Sequence, residues 1–133
     1  MHRTNISSGS TWEPIVGYSR AVKIGRHVWI AGTTAVDDQG KVVGKNDAAE
    51  QTRCILAIIR KALQDAGSEL NDIVRTRIYV RDIRHWKQIG MVHGEVFKHI
   101  RPATTMVEVS RLIDPEMLVE IEAEAYIATD TAS

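Results

Sequence analysis

The feature of this sequence that most constrains its fold is a strict alternation of apolar and polar side chains over residues 74 to 81. The alternating sets are Val74, Thr76, Ile78 and Val80 on one side and Arg75, Arg77, Tyr79 and Arg81 on the other. A period of two is typical of a β-strand with one face in the core. The sequence therefore predicts a strand here, with its arginine row on the opposite face.

A hairpin and a helix are predicted before this strand. Alternating residues from Tyr18 to Ile24, a tight turn at Gly25-Arg26 and an apolar run over residues 27–32 are typical of two paired strands. Asp47 and Glu50 have the spacing of a capping box, which predicts a helix over residues 48–66 that ends at Gly67. Its predicted buried stripe consists of Ile55, Leu56, Ile58, Ile59, Leu63 and Ala66.

A second helix and two further strands are predicted after it. Asp82 is the predicted N-cap, and Pro102 ends the helix because it disfavours helical geometry at Arg101. The predicted buried stripe is Trp86, Ile89, His93, Val96 or Phe97, and Ile100, with a costly Gly90 in the interior. Alternation then predicts strands over residues 104–109 and 119–127. The order ββ-α-β-α-ββ predicts an α/β (α+β) domain with both helices on one face of a mixed sheet.

The other face of the sheet is predicted to be polar. Its predicted members are Glu120, Glu122, Glu124, Glu108, Met106, Arg75, Arg77 and Arg81. Opposite charges on neighbouring strands can form a solvated face with cross-strand ion pairs. Alternatively, this face contacts further copies of the chain in a symmetric assembly with pockets between subunits.

Composition limits the class of protein. The chain has 133 residues, enough for one domain, with 17 Lys plus Arg and 17 Asp plus Glu. A net charge of zero gives no reason to expect nucleic acid or an anionic membrane as the main partner. We expect no membrane span, no secretory signal and a cytoplasmic protein. Cys54 is the only cysteine, and we interpret it as a packed side chain. The segments Met1 to Ser10 and Thr129 to Ser133 are expected to fray.

Several short segments together resemble one protein family. They are Tyr18, Ala31-Gly32-Thr33-Thr34, Arg77 to Asp82, Arg101-Pro102-Ala103, Val107-Glu108-Val109 and Val119 to Ala123. In this order they are similar to the Rid (reactive intermediate deaminase, YjgF-type) family. The likeness extends from about Tyr18 to Ile127 within a single RidA-like domain of residues 1–133.

The resemblance implies both an architecture and a chemistry. It implies a chorismate-mutase-like fold, with one mixed sheet of about six strands and two helices on one face. Three such chains form a homotrimer with small-molecule clefts between subunits. Archetypal members hydrolyse enamine and imine intermediates to 2-keto acids and ammonia, with no metal and no cofactor.

The resemblance also assigns site residues. Glu120 matches the glutamate that holds the attacking water, while Tyr18 and Gly32 match pocket positions. The archetypal arginine that clamps the substrate carboxylate directly follows Pro-Ala, but here Thr104 follows Pro102-Ala103. Gly90 replaces an asparagine and His93 an aromatic residue, so His93 is either a packed histidine or a catalytic one. Thr33, Thr105 and Met106 complete the predicted substrate-binding set.

Thr104 changes the expected substrate. A hydroxyl brings no charge, and a buried carboxylate that loses its partner costs about 3 to 5 kcal/mol. Strand alternation places Arg101 on the face opposite Thr104, while Arg75 and Arg77 are well placed to neutralise the glutamates. Arg101 is therefore a poor replacement, whereas Arg75 and Arg77 lie on the polar face and could also reach an anion.

Three functions follow as hypotheses. The first is a cofactor-free deaminase for a larger or uncharged enamine or imine, with Glu120 positioning water and His93 or Tyr18 assisting. The second is a non-enzymatic trimer that binds a metabolite. The third is the translation-inhibitor or endoribonuclease function described for some relatives, which lacks support because no basic stripe with interleaved aromatics is present. Chorismate-mutase activity inferred from the fold alone is weaker still.

Overall fold

The computed structural model describes residues 1–128, which form a six-stranded sheet with two helices. The strands are β1 (Arg3–Ile6), β2 (Ala21–Ile24), β3 (His27–Thr33), β4 (Ile73–Val80), β5 (Ala103–Glu108) and β6 (Val119–Tyr126). The helices are α1 (Ala48–Asp65) and α2 (Trp86–Phe97). Short helical turns lie at Glu13–Gly17, Leu70–Asp72 and Ile83–His85. The predicted α/β fold class is confirmed.

The sheet has the strand order β1-β2-β3-β6-β4-β5. Only β4 and β5 pair in parallel, and the other neighbours are antiparallel. Because β3 and β4 are both antiparallel to β6, α1 connects two parallel strands, and α2 connects the parallel pair β4 and β5. Both crossovers place their helix over the same face, where the core lies between sheet and helices.

Helix α1 begins and ends where the sequence predicts. The Asp47 carboxylate accepts a hydrogen bond from the Glu50 N–H at 3.0 Å. The reciprocal half of the capping box does not form, because the Asp47 N–H donates to the Gly44 carbonyl instead. Gly67 has a φ of 77° and supplies the left-handed residue at the C-terminal end.

The first ten residues differ from the expectation that they fray. Strand β1 pairs with β2 in an antiparallel register, with Ile6 opposite Ala21 and both side chains buried. Pairing along four positions and a buried isoleucine tie this segment to the sheet. The predicted fraying of Thr129 to Ser133 lies outside the described residues.

Two predicted core residues are exposed. Val74 is 51% exposed because a β-bulge between Ile73 and Arg75 places Ile73 in the core instead. Trp86 is 53% exposed at the first position of α2. The buried side of α2 is formed by Ile89, Val92 and Phe97.

The open face of the sheet, on the side away from the helices, carries Arg75, Arg77, Tyr79, Glu120, Glu122 and Glu124. Arg77 Nη1 lies 2.8 Å from Glu124 Oε1, and the Tyr79 hydroxyl donates to Glu122. The prediction that Met106 and Glu108 lie on this open face is wrong. They pair with Ile78 and Val80, which point toward the helices, so all four lie on the helix-covered face.

Candidate functional site

Glu120 lies at the end of the open face beside Gly32. Its carboxylate occupies the space that a Cβ at position 32 would need. Burial raises the pKa of Glu120, as does the negative charge of Glu122, while Arg20 partly offsets both. Glu120 makes no ion pair within 4 Å among residues 1–128. The glycine therefore allows a half-buried, protonatable carboxylate to approach the backbone of β3.

Arg20 lies on the other side of this backbone. Its Nη2 donates to the Ala31 carbonyl at 2.6 Å and to the Gly32 carbonyl at 2.9 Å. The β-bulge between Ile30 and Thr33 breaks the regular pairing of β3 with β6 at this point. Burial lowers the pKa of the Arg20 guanidinium, and Tyr18, Glu13 and Glu120 partly offset that effect. Gly32 thus has a cation on one side and a carboxylate on the other.

Sequence reasoning missed Arg20. It is two residues beyond Tyr18, and period-two alternation places the two side chains on the same face of an extended segment. That spacing was a usable signal. The predicted substitutes for the missing cation, Arg75, Arg77 and Arg101, do not include it.

Thr76, His93 and Thr104 form a separate hydrogen-bonded cluster under α2. Thr76 Oγ1 lies 3.0 Å from His93 Nε2 and 2.8 Å from Thr104 Oγ1. Thr104 Oγ1 donates to the Pro102 carbonyl at 3.2 Å. Since each hydroxyl has one proton, Thr76 donates to Thr104 and accepts from His93. The cluster is therefore an uncharged series of hydrogen bonds that ends on the Pro102 backbone carbonyl.

This series of hydrogen bonds determines which nitrogen of His93 carries the proton. The neutral imidazole carries its proton on Nε2 in this arrangement, so that Nε2 is a donor and not a base. Burial lowers the pKa of His93, which favours the neutral form, and the ring contacts Phe97 at 4.5 Å between centroids. The geometry supports the packed-histidine alternative over direct base catalysis by Nε2.

The two groups of predicted site residues do not meet within one chain. Thr104 pairs with Thr76 on the helix-covered face, whereas Glu120 is opposite Tyr79 on the open face. Strand β4 separates β5 from β6, which places their backbones about 10 Å apart. Thr104 and Glu120 of one chain therefore do not line a common cleft, and the predicted inter-subunit cleft near both residues stays a prediction.

The remaining predicted site residues divide between the same regions. Tyr18 is 40% exposed near Arg20, whereas the Thr33 hydroxyl is buried and donates to the Ala31 carbonyl. Thr105 lies on the open face, where it accepts a hydrogen bond from Arg75. Met106 packs against the core, and Gly90 lies one turn before His93 on α2.

Three arginines were candidates to replace the arginine that is missing at position 104. Arg77 pairs with Glu124, and Arg75 is bonded to Thr105, so both serve the open face. Arg101 precedes β5 and has a φ of 57°, which is left-handed geometry. Strand alternation does not extend to Arg101, so that argument about its direction is wrong, although the residue is exposed and outside both groups.

A cavity of about 850 Å³ lies on the open face under the N-terminal segment. Its lining includes Arg3, Glu13, Tyr18, Trp29, Ala31 and Glu124. Within residues 1–128, no three His, Cys, Asp or Glu side chains are grouped to hold a metal ion. Cys54 is half-buried on α1, and burial raises the pKa of its thiol, which disfavours a reactive thiolate.

Comparison with known proteins decides the family. Residues 9–127 match the family model described as Endoribonuclease L-PSP. The chain belongs to this family, the Rid (YjgF, L-PSP) family. A RutC family protein of Pyrococcus abyssi is 37% identical over 86% of this chain and 89% of its own length. The 3-aminoacrylate deaminase RutC of Acinetobacter baylyi is 35% identical over 86% of this chain and 90% of its own length.

Solved structures support the Rid fold independently. A Mycobacterium tuberculosis member of the YjgF/YER057c/UK114 family superposes with a TM-score of 0.86 and 54% sequence identity, covering 95% of this chain and all of that chain. The six-stranded mixed sheet with two helices is therefore the architecture of this family. None of the helices formed by residues 1–128 has the length and apolar character that a membrane crossing needs.

Proposed function

We propose that this Rid protein is a cofactor-free hydrolase that deaminates an enamine or imine other than the archetypal 2-imino acids. The observation that carries this proposal is the half-buried Glu120 carboxylate against Gly32, with its pKa raised chiefly by burial. A carboxylate whose pKa moves toward neutrality is a better proton carrier at physiological pH.

The reaction balances with water alone. Glu120 holds a water molecule and accepts its proton as the oxygen attacks the electrophilic C=N carbon. The same proton then passes to the nitrogen, which gives a neutral carbinolamine. Glu120 next takes the hydroxyl proton of this intermediate and delivers it to the nitrogen as the C=O bond forms, so that the C–N bond breaks and ketone or aldehyde and ammonia leave. An enamine first takes a proton on carbon to reach the imine. No redox partner is required.

Thr104 supports a substrate that differs from the archetypal one. This residue occupies the position after Pro102-Ala103, where the resemblance expects an arginine, and we propose that the chain belongs to a branch without that arginine. Its hydroxyl is already committed to Thr76 and Pro102. A neutral, hydrogen-bonded threonine does not form a bidentate pair with a carboxylate.

The separation of the two groups supports an assembled site. Thr104 and Glu120 of one chain lie on opposite faces, so a cleft that contains both would combine Thr104 of one copy with Glu120 of another. We propose a homotrimer with three such clefts, as the resemblance implies. The polar open face would then contact other copies instead of solvent.

The relatives support the enamine class. One of them carries the name 3-aminoacrylate deaminase, and 3-aminoacrylate is an enamine. A nucleic-acid function receives less support because the chain has no net charge and Arg77 on the open face is paired with glutamates. We expect the substrate to be a small metabolite.

Ammonia release tests this function. The purified protein is incubated with 2-aminoacrylate and with 3-aminoacrylate, each generated in place, and ammonia is measured against the uncatalysed rate. We expect little acceleration with the first substrate class. With any enamine that is turned over, Glu120→Gln should lower kcat at least about 100-fold, the size of a general acid–base contribution. Full activity in that variant would rule out the proposed role of Glu120.

A matched control keeps this result specific. Glu50→Gln changes an exposed glutamate at the start of α1, far from the sheet face that carries Glu120. We expect wild-type turnover from this variant. If no enamine or imine is turned over but a keto acid raises the melting temperature, the metabolite-binding alternative replaces the enzyme.

A further inference from the structure

Arg20 is the least satisfied charged group near the candidate site. Its Nη2 makes both of the hydrogen bonds described above, to the Ala31 and Gly32 carbonyls. Its Nε is fully buried and has no partner among residues 1–128. Nη1 also donates no hydrogen bond to the described residues, yet it is not fully enclosed. Buried polar atoms are normally satisfied, so the fold leaves this guanidinium with unused donors.

The charge of Arg20 is also unpaired. No carboxylate lies within 4 Å of it among the described residues, although Glu13 and Glu120 are close enough to act on its pKa. Arg77 on β4, by contrast, is paired with Glu124 at 2.8 Å. A partly buried cation without an ion-pair partner is costly unless an anion completes it.

The position of Arg20 relative to Glu120 suggests which anion. Both groups adjoin Gly32, one through its carbonyl oxygen and the other against its Cα. Tyr18 and Ala31 line the open-face cavity, and Arg20 donates to the Ala31 carbonyl, although Arg20 itself is not part of the lining. Because both groups adjoin Gly32, a small molecule held by Arg20 would have Glu120 as its neighbouring carboxylate.

We propose that Arg20 is the carboxylate anchor of the site, so that the ligand is a small organic acid that spans Gly32, with its carboxylate on Arg20 and its reacting carbon near Glu120. This inference rests on the proposed function for the role of Glu120 and adds the substrate class. In this arrangement the substrate carboxylate binds Arg20 and not a residue at position 104, so it lies on a different side of the cleft. The reacting carbon, held near Glu120, stands at a different distance from the carboxylate than in the archetypal arrangement.

A purely structural role for Arg20 makes a different prediction. If Arg20 only satisfies the carbonyls exposed by the β-bulge, its replacement destabilises the protein equally with every ligand or none. An anchor instead changes the affinity for acids and leaves uncharged analogues unaffected. The difference in affinity between an acid and its ester therefore separates the two roles.

Calorimetric titration with 2-oxobutanoate and with its methyl ester tests the anchor. Wild-type protein should bind the acid at least about tenfold more tightly than the ester. Arg20→Gln should raise the Kd of the acid at least about tenfold and leave that of the ester unchanged, because a charge-assisted pair is lost. A folded Arg20→Gln variant that binds the acid as wild type does, or a wild type without preference for the acid, would overturn the proposal.

Two further variants complete the experiment. Arg26→Gln is the matched control, because Arg26 lies at the other end of the same hairpin and also donates to a backbone carbonyl, that of Ala128. It should bind both probes normally. If Arg20→Gln does not fold, Arg20→Lys decides: its shorter side chain carries a point charge without the planar fork of donors, so the preference for the acid should fall. Wild-type acid preference in this variant would contradict the anchor.

Glu120→Gln separates this inference from the proposed function. It should lose turnover of any substrate but keep the preference for the acid over the ester. If the protein binds the acid through Arg20 but hydrolyses no enamine or imine, the anchor is supported and the proposed hydrolase function is wrong. If an acid enamine is turned over and Arg20→Gln does not change that turnover, the hydrolase function is supported and the anchor is wrong.

Discussion

The Glu120 carboxylate lies against the Cα of Gly32, in the space that any other residue at position 32 would fill with its Cβ. Gly32→Ala should therefore displace the carboxylate or the bulge of β3. We expect a loss of about 1 to 3 kcal/mol in the free energy of unfolding, as for other overpacked sites. Urea denaturation measures it.

Gly94→Ala is the control for this substitution. Gly94 lies inside α2, and a Cβ there would meet no atom within 4 Å. Alanine should stabilise the helix by roughly 0.5 to 1 kcal/mol because it loses less backbone entropy on folding. Equal effects at positions 32 and 94 would show that the contact with Glu120 does not constrain position 32.

The raised pKa of Glu120 predicts how stability depends on pH. Burial makes the folded state bind the Glu120 proton more tightly than the unfolded chain does. The stability from this group is fully present below the unfolded pKa of about 4.3 and is lost as pH rises through the higher folded pKa. Wild type should therefore lose stability relative to Glu120→Gln as pH rises from about 4 through the folded pKa of Glu120.

Melting temperatures of the two proteins across this pH range provide the measurement. The difference between wild type and Glu120→Gln cancels the titration of all other groups that the two proteins share. A difference that stays constant, or that favours wild type as pH rises, would be incompatible with a carboxyl group whose folded pKa is raised.

Thr76 links His93 to Thr104, so Thr76→Val should destabilise the cluster. The substitution leaves the His93 Nε2–H without its acceptor and removes the donor to Thr104. We expect a cost of about 1 to 3 kcal/mol, the usual penalty for stranded polar groups. Chemical denaturation reports the cost, and the NMR titration of His93 reports the change in its surroundings.

Thr52→Val is the matched control for Thr76→Val. Thr52 is equally buried, but its hydroxyl bonds only the Ala48 carbonyl of its own helix at 2.7 Å. This carbonyl keeps its helical hydrogen bond when the hydroxyl is removed, so the cost should be smaller. A larger loss of stability for Thr52→Val than for Thr76→Val would contradict the assigned hydrogen bonds from His93 through Thr76 to Thr104.

Thr104→Arg tests whether the archetypal activity depends on that position. Thr104 is exposed, so an arginine side chain enters solvent or the cleft without crowding the core. If the proposed branch lacks only the clamp, this variant should deaminate 2-aminoacrylate at least about tenfold faster than wild type, because the carboxylate gains a bidentate partner. No gain in a folded, assembled variant would show that Gly90, His93 or Arg20 also separates this cleft from the archetype.

Periodicity alone predicted most of the fold. The alternation of β4, the N-cap at Asp47 and the left-handed Gly67 are local properties, set by side-chain spacing and backbone sterics over a few residues. They are found in the structure because local preference and core packing agree. The errors occurred where packing overrides spacing: a bulge moved Val74 out of the core, and pairing with β2 ordered residues 3–6.

The candidate site shows the same division. The sequence by itself determined which residue types are present, including a threonine after Pro102-Ala103 and a glutamate at position 120, and hence the loss of a charge at one position. Only the tertiary structure decided which groups are neighbours. Side-chain direction in a sheet depends on pairing register and on bulges, which no short pattern specifies. For this reason Thr104 and Glu120 lie on opposite faces, and Arg20 meets Glu120 at Gly32.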